Sequence, residues 1–258
     1  MTIQYFSPVL WRRSLRKTIT NPVVLIWAFL LVGLVVALIV GVEPGPGDSV
    51  VVFGNPAGGF DLLARATIPL ALRLPLGFFI PITSAFLSVE LLRHSTVHYV
   101  VTAPIRRRAI IHSTWLGAAA AYFAVVGLFG VLVAAVAWAK GLSLPGAALA
   151  GVVVGFEAGA IHAFVLFCTI ASGNAGLGAA AGVAWVGMLG PMLVARGTSS
   201  MLASVVQFIL PPASGLSRHL DAVLGANPEV PWLLVLHSCS ASVVAMAAAA
   251  WVYGRKQF

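Results

Sequence analysis

Long apolar segments alternate with short polar stretches along the chain. Six of them cover residues 23–42, 67–89, 114–138, 147–171, 175–195 and 231–253. Each has roughly the 20 residues that a helix needs to cross a bilayer, and none alternates apolar and polar residues as barrel strands do. Because backbone polar groups in lipid must be satisfied within the chain, the pattern predicts an all-α, polytopic membrane protein with one six-helix domain over residues 23–258.

The first 22 residues have a different pattern. Apolar positions recur at roughly helical spacing between Tyr5 and Ile19, and Arg12, Arg13 and other basic residues lie among them. Such a pattern is typical of an amphipathic helix that lies along a membrane surface. We therefore expect residues 1–22 to form an interfacial helix on the inner leaflet; the alternative is a basic flank of the first span.

Composition and charge support a membrane location. The chain has 60% apolar and 9% charged residues, whereas soluble domains carry about 25% charged residues. With a cytoplasmic N-terminus, ten Lys and Arg residues lie inside and four lie outside, with one more within the second span. This positive-inside bias predicts a protein of the cell inner (plasma) membrane with both termini in the cytoplasm. The net charge of +8 then points to membrane lipids as partners, and no nucleic acid is expected.

Two external stretches are unusual. Residues 43–66 are rich in Gly and Pro, and we expect an irregular connection there. Residues 196–230 contain an apolar part too short to cross, then two prolines, and then an amphipathic helix that Ser214 would cap and Gly225 would end. The second stretch predicts a re-entrant segment before the last span; an irregular loop is the alternative.

Sequence motifs exclude several kinds of chemistry. The chain has no phosphate-binding G-x-x-x-x-G-K-[ST], no H-E-x-x-H and no G-x-S-x-G. His94 and His98 would share a helix face, but they lack a third ligand, so no metal site is predicted. Cys168 and Cys239 lie at different expected depths and cannot pair. We expect no cofactor in this chain.

Ionisable groups inside spans are candidates for function. The fourth span also carries Gly151, Gly155 and Gly159, a ridge of small residues that we expect to allow close helix packing within the subunit. Glu157 lies near the middle of that span, about 160° or more from the ridge. It either lines a water-accessible pathway or is a protonated or hydrogen-bonded group between helices. Arg73 in the second span either extends toward the outer surface or meets Glu157.

A separate function would be haem binding or catalysis within the membrane. Haem would need His162 and His237 at equal depth, but we expect them at ~22 Å and ~9 Å. An enzyme using Glu157 and His162 would need both in one pocket, although they project about 140° apart on one helix. Both functions, and a purely lipid-binding membrane protein, are retained as alternatives.

The segment 90–112 between the second and third spans is the most specific. It reads Glu-Leu-Leu-Arg-His-Ser-Thr over residues 90–96 and Tyr-Val-Val-Thr-Ala-Pro-Ile-Arg-Arg over residues 99–107. In the eight-residue spacing from Thr96 to Pro104, followed by Arg107, it resembles the permease subunits of ATP-binding-cassette exporters, in the short six-helix type-2 permease family. Ser95 stands where that family usually has Gly, and Thr114 stands near the place of a common Lys.

The resemblance implies the permease half of an exporter and not an enzyme. Two permeases, identical or homologous, would form the pathway along their second and fifth spans, and separate cytoplasmic ATPase subunits would bind ATP and Mg. The cargo would be hydrophobic or amphipathic, because the spans carry few charges. Residues expected to couple to the ATPase are Glu90, Arg93, Ser95, Thr96, Pro104, Arg106 and Arg107. Residues expected along the pathway are Arg73, Glu157, Gly178 and Gly182.

Overall fold

The chain is mostly helical over the residues that its structure describes. The structure, a computed structural model, describes residues 6–47, 49–59, 67–68, 71–72, 75–92, 107–142, 144, 146–189, 209–212, 219–224 and 227–255. In chain order the elements are α1 (Pro8–Ile19), α2 (Pro22–Gly41), β1 (Val42–Pro44), β2 (Ser49–Val52), β3 (Asn55–Gly59), α3 (Pro75–Leu92), α4 (Arg107–Ala139), α5 (Gly146–Ser172), α6 (Ala175–Leu189), α7 (Leu220–Leu224) and α8 (Trp232–Arg255).

Five of the helices in the described ranges are long and apolar enough to cross a membrane, namely α2, α3, α4, α5 and α8. They make the chain a multi-pass helical membrane protein. The predicted first, fourth and sixth spans match α2, α5 and α8 to within two residues at each end. The predicted fifth span coincides at its start with α6, which is shorter, and the residues after 189 lie outside the described part.

The third span begins earlier than predicted. Helix α4 starts at Arg107 rather than near residue 114. Hydropathy marks only the part of a helix that suits lipid, whereas the first turns of α4 are held by protein contacts. Ala109, Ile110 and Ile111 are all buried there, while Arg108 is exposed. The last part of the predicted segment 90–112 is therefore helical, and its middle, residues 93–106, lies outside the described residues.

Helix α5 lies at the centre of the bundle. It packs against α3, α4, α6 and α8, and 78% of its most apolar stretch is buried, against 22% for α2. Helix α2 packs through one face, which is lined by Val24, Trp27, Leu31, Val35 and Leu38. Its other faces expose residues such as Phe29, which is 78% accessible. A peripheral helix of this kind suits contact with lipid.

The glycine ridge of α5 faces α4. A Cβ atom on Gly151 would lie 2.6 Å from the carbonyl oxygen of Val126, and the side chain of Phe123 covers Gly155. Farther along, Trp115 Nε1 donates a hydrogen bond to the carbonyl oxygen of Gly159 at 3.1 Å. The prediction that this ridge serves close helix packing within the subunit is confirmed.

The described part of residues 43–66 is not irregular, so the expectation of an irregular connection there was wrong, whereas the fold as a whole is mostly helical as predicted. The strands β1, β2 and β3 form an antiparallel sheet in that order. Three consecutive valines supply β2, since β-branched residues favour strands. The tight turn after it has φ of 48° at Phe53 and 80° at Gly54, the positive values that a two-residue hairpin turn requires.

The sheet is held close to the ends of two spans. The backbone N–H of Phe53 donates to the carbonyl oxygen of Gly41 at 2.7 Å, and the Phe53 ring lies over the same glycine. Lys140, just beyond α4, donates to the carbonyl oxygens of Ile39, at 2.6 Å, and of Val42. A lysine is favourable beside the last carbonyl groups of a helix.

The stretch 196–230 is described only in part. Helix α7 covers the second half of the amphipathic helix predicted between Ser214 and Gly225, both of which lie outside the described residues. Its Val223 and Leu224 are buried, and the backbone of Val223 lies against Gly146 at the start of α5. Helix α7 is thus a packed element of the fold.

Candidate functional site

The sequence-predicted site residues divide into two groups. Glu90, Glu157, Gly178 and Gly182 are described with their surroundings, and Arg107 is described as the first residue of α4. Those that lie outside the described residues are Arg73, Arg93, Ser95, Thr96, Pro104 and Arg106. For the expected coupling segment, the described geometry is therefore that of its two flanks, the last turn of α3 and the first turns of α4.

Helix α1 contacts both flanks. Lys17 on α1 forms an ion pair with Glu90 in the last turn of α3. Ser14 Oγ donates a hydrogen bond to the carbonyl oxygen of Thr114 on α4 at 2.7 Å. The Lys17 and Glu90 side chains are 37% and 38% accessible, so water screens this pair and it contributes little to stability. The ion pair matters for where it lies. Together with the Ser14 hydrogen bond, it attaches the short helix α1 to the chain on both sides of residues 93–106.

The packing of α1 on α4 uses small polar residues. The Ser7 backbone N–H, at the N-cap of α1, donates to Ser113 Oγ at 2.9 Å. A Cβ atom on Gly117 of α4 would lie 2.5 Å from the carbonyl oxygen of Trp11, so the two backbones are close together. The apolar residue Val9 remains 74% accessible. This leaves an apolar surface that an interfacial helix would turn toward lipid, a placement that stays a prediction.

The carboxyl end of α8 joins the same region. Tyr253 Oη donates a hydrogen bond to the carbonyl oxygen of Leu91, at the end of α3, at 3.2 Å. Leu91, Tyr253 and residues from α4 and α5 share a separate apolar cluster. We call this region the basic end; it consists of α1, the last turn of α3, the first turns of α4 and the last turns of α8. Four helices, α1, α3, α4 and α8, thus contact one another in this region.

Glu157 is buried in the single chain. It is 2% accessible, and it takes part in an interaction within the fold. In this conformation the carboxyl group does not lie on an open surface of the chain. The structure therefore favours the second of the two roles considered for it, that of a paired group between helices.

A polar cluster in the spans was not predicted from the sequence. Tyr122 Oη on α4 lies 2.7 Å from Thr83 Oγ1 and 3.4 Å from Ser84 Oγ, both on α3. The Tyr122 ring meets the His162 ring edge to face, with centroids 5.6 Å apart. The cluster links α3, α4 and α5 in the core. Thr, Ser and Tyr residues in otherwise apolar spans could have indicated this cluster. Hydropathy averaged over a whole span hides such single polar residues.

His162 faces α4, where it contacts Tyr122. It is 1% accessible, and neither of its ring nitrogens has a hydrogen-bond partner among the described residues. His237 instead contacts the carbonyl oxygen of Leu210 at 2.9 Å through Nε2. The two imidazoles belong to separate contacts, and nothing in this geometry brings them together as a haem-ligand pair.

Gly178 and Gly182 of α6 face the interior of the subunit. Thr169 of α5 covers Gly178, and a Cβ atom on Gly182 would lie 2.5 Å from Val165 Cγ2 and 2.8 Å from Pro81 Cβ. Neighbouring helices of the same chain therefore occupy the space over both glycines, and their expected place along a pathway stays a prediction. Helix periodicity shows which residues share a face, but it does not show which neighbour the face meets.

Substitutions at Glu157 distinguish its two roles. Glu157→Gln keeps the shape and the hydrogen-bonding capacity, and we expect it to leave thermal stability almost unchanged. Glu157→Leu would leave the partner group unsatisfied, and we expect a loss of about 1–3 kcal/mol. The measurement is thermal unfolding of the purified chain in detergent, with Val152→Leu on the exposed side of α5 as a control. If the Gln variant were as unstable as the Leu variant, Glu157 would not act through hydrogen bonding alone, because only a requirement for its charge would explain the loss of stability.

No protein-family model matches the chain, and no curated protein matches its sequence significantly. Function therefore has to be inferred from the residues of this chain.

Proposed function

We propose that the chain is the permease subunit of an ATP-driven exporter of the ATP-binding-cassette type. Two copies, or one copy and a homologue, form the pathway, and ATP hydrolysis takes place on separate cytoplasmic subunits. The proposal includes six transmembrane helices, with α6 and residues beyond it as the fifth, a re-entrant segment before α8, and a cytoplasmic basic end. The site residues in residues 93–106 keep the coupling role that the resemblance implies.

The observation that carries the proposal is the attachment of α1 to both flanks of residues 93–106. Lys17 pairs with Glu90 before that stretch, and Ser14 bonds to Thr114 after it. A surface loop does not need a helix attached to both of its flanks. A segment that transmits force needs one, because a displacement at one point must move α3 and α4 together. Closure of an ATPase dimer would supply that displacement.

The polar cluster connects α3 and α4 to α5 within the spans, and it would therefore transmit a movement of α3 and α4. Tyr122 on α4 is held to Thr83 on α3 by a hydrogen bond of 2.7 Å, and it contacts His162 on α5. Packed helices slide as units because their interdigitated side chains resist continuous deformation. A shift of α3 and α4 at the basic end would thus reach α5.

The cargo is proposed to be hydrophobic or amphipathic. A cavity of about 420 Å³ lies between α2 and α3 and is lined mostly by apolar residues, among them Trp27, Leu31, Pro75 and Phe79. Cavities of this size and lining suit apolar ligands with few polar groups. Sugars and ions would lose their hydration in this cavity and would gain few polar contacts in exchange.

The test of this function is the subunit composition of the native complex. A tagged full chain, solubilised from its own membranes in mild detergent, should co-purify with an ATPase in a two-plus-two assembly. The chain alone should hydrolyse no ATP, because its sequence has no phosphate-binding loop. The measurements are native mass spectrometry and phosphate release.

A matched variant makes this test specific. In it a Gly-Ser segment of equal length replaces residues 93–106, and we expect the ATPase to be lost while the thermal unfolding of the chain changes little. An intact native complex without any nucleotide-binding subunit would overturn the proposed function. Retention of the ATPase by the Gly-Ser variant would refute the coupling role of the segment.

A further inference from the structure

A groove at the basic end lies between the first turns of α4 and the last turns of α8. The cavity measures about 430 Å³. Residues that line it and carry the argument are Arg108, His112, Val243, Met246, Ala247 and Trp251. Among the described residues of the two predicted sites, Glu90, Glu157, Gly178 and Gly182 do not line it.

One end of the groove is positively charged. Arg108 is exposed, and the guanidinium group of Arg255 lies 4.0 Å from the centroid of the Trp251 ring. None of the described residues that line the groove carries a carboxylate. The start of α4 adds the partial positive charge of a helix N-terminus. An anionic group would therefore be attracted to this end.

The rest of the groove is apolar. Val243, Met246 and Ala247 continue along α8 from the charged end, and Ser242 closes the far end. The ten residues from Ser242 to Trp251 extend ~14 Å along a helix. A groove that is positively charged at one end and apolar over that length matches an amphiphile with an anionic head and a hydrocarbon chain.

We propose that this groove binds one anionic phospholipid from the leaflet at the basic end. Its phosphate lies at the end that carries Arg108 and Arg255, and an acyl chain lies along Met246 and Ala247. Basic pockets between transmembrane helices recognise anionic headgroups in this way. The proposal does not depend on the proposed transport function, since neither an ATPase nor a cargo takes part in it.

The experiment uses the full chain, with any subunits that co-purify, in a neutral detergent. Dioleoyl phosphatidylglycerol should raise the midpoint of thermal unfolding in a saturable manner, and native mass spectrometry should show the bound lipid. Dioleoyl phosphatidylcholine at the same concentration should do neither. The double variant Arg108→Gln/Arg255→Gln should bind phosphatidylglycerol at least about tenfold more weakly, as expected for the loss of two cations near an anionic headgroup.

Two further variants separate the groove from general surface charge. Arg12→Gln/Arg16→Gln removes the same charge from exposed positions on α1 at the same end, and it should bind phosphatidylglycerol normally. Ala247→Trp changes no charge and fills the groove from an exposed position, and it should weaken binding as much as the double Arg108 variant. Equal loss in the two arginine double variants, normal binding by Ala247→Trp, or equal protection by inorganic phosphate would each overturn the proposal.

Discussion

Replacing Gly151 by Ala is expected to lower the free energy of unfolding by about 1–3 kcal/mol, the range for overpacking a close contact. The added methyl group would lie 2.6 Å from the carbonyl oxygen of Val126 and 3.3 Å from the Cα atoms of Gly127 and Gly130. All three neighbours are backbone atoms, which cannot rotate away as a side chain can. Helices α4 and α5 must therefore move apart, and thermal unfolding in detergent should show the loss.

Two variants on α4 serve as controls for Gly151→Ala. A Cβ atom on Gly127 would meet no atom within 4 Å, so Gly127→Ala should cause no loss of stability. A Cβ atom on Gly130 would lie 2.5 Å from the carbonyl oxygen of Ala147, so Gly130→Ala should destabilise. Both harmful substitutions separate the same helices, and the double variant should cost less than the sum of the two. A Gly151→Ala variant as stable as the parent would refute the close α4–α5 contact.

Reversal of the charge at Glu90 is expected to reduce ATP hydrolysis by the native complex about tenfold, a barrier change near 1.4 kcal/mol. Glu90→Lys places two ammonium groups together, because Lys17 is the partner of Glu90. Helix α1 would then lose its ion pair with α3, while its hydrogen bond to α4 through Ser14 remains. Stability should change by less than about 1 kcal/mol, since the pair is partly exposed. Phosphate release and thermal unfolding measure the two effects.

The exchanged pair tests whether the contact itself matters. Lys17→Glu combined with Glu90→Lys restores an ion pair in the opposite sense, and we expect it to recover most of the hydrolysis. Arg12→Glu makes the same charge change as Lys17→Glu at an exposed position of α1, and it should remain active. If the exchanged pair is as inactive as Glu90→Lys, the loss reflects the charge at residue 90 and not the attachment of α1.

Several features could be predicted from single segments of the chain. The positions of α2, α5 and α8 followed from apolar length, because a run of about 20 apolar residues suits only a helix in lipid. Close packing through one face of α5 followed from Gly151, Gly155 and Gly159, because small residues at a four-residue spacing leave one helix face open to a neighbour. Glu157 was identified because an ionisable residue in an apolar span is costly unless it is paired.

Other features depended on which surfaces meet. The sequence shows that Gly178 and Gly182 share a face, but the identity of their neighbours, Val165, Thr169 and Pro81, is a property of the packed chain. Likewise, the early start of α4 depends on burial of residues after Arg107 that hydropathy does not reveal.

By itself, the sequence of this protein determined the helical membrane class, the approximate limits of three spans and one packing ridge. These depend on local composition and on spacing along one helix. Only the tertiary structure decided that Lys17 meets Glu90, that Tyr122 joins Thr83 to His162, and that a basic groove lies between α4 and α8. Each of these contacts joins residues far apart in the chain, and their distances depend on how the helices pack rather than on the pattern within any one of them.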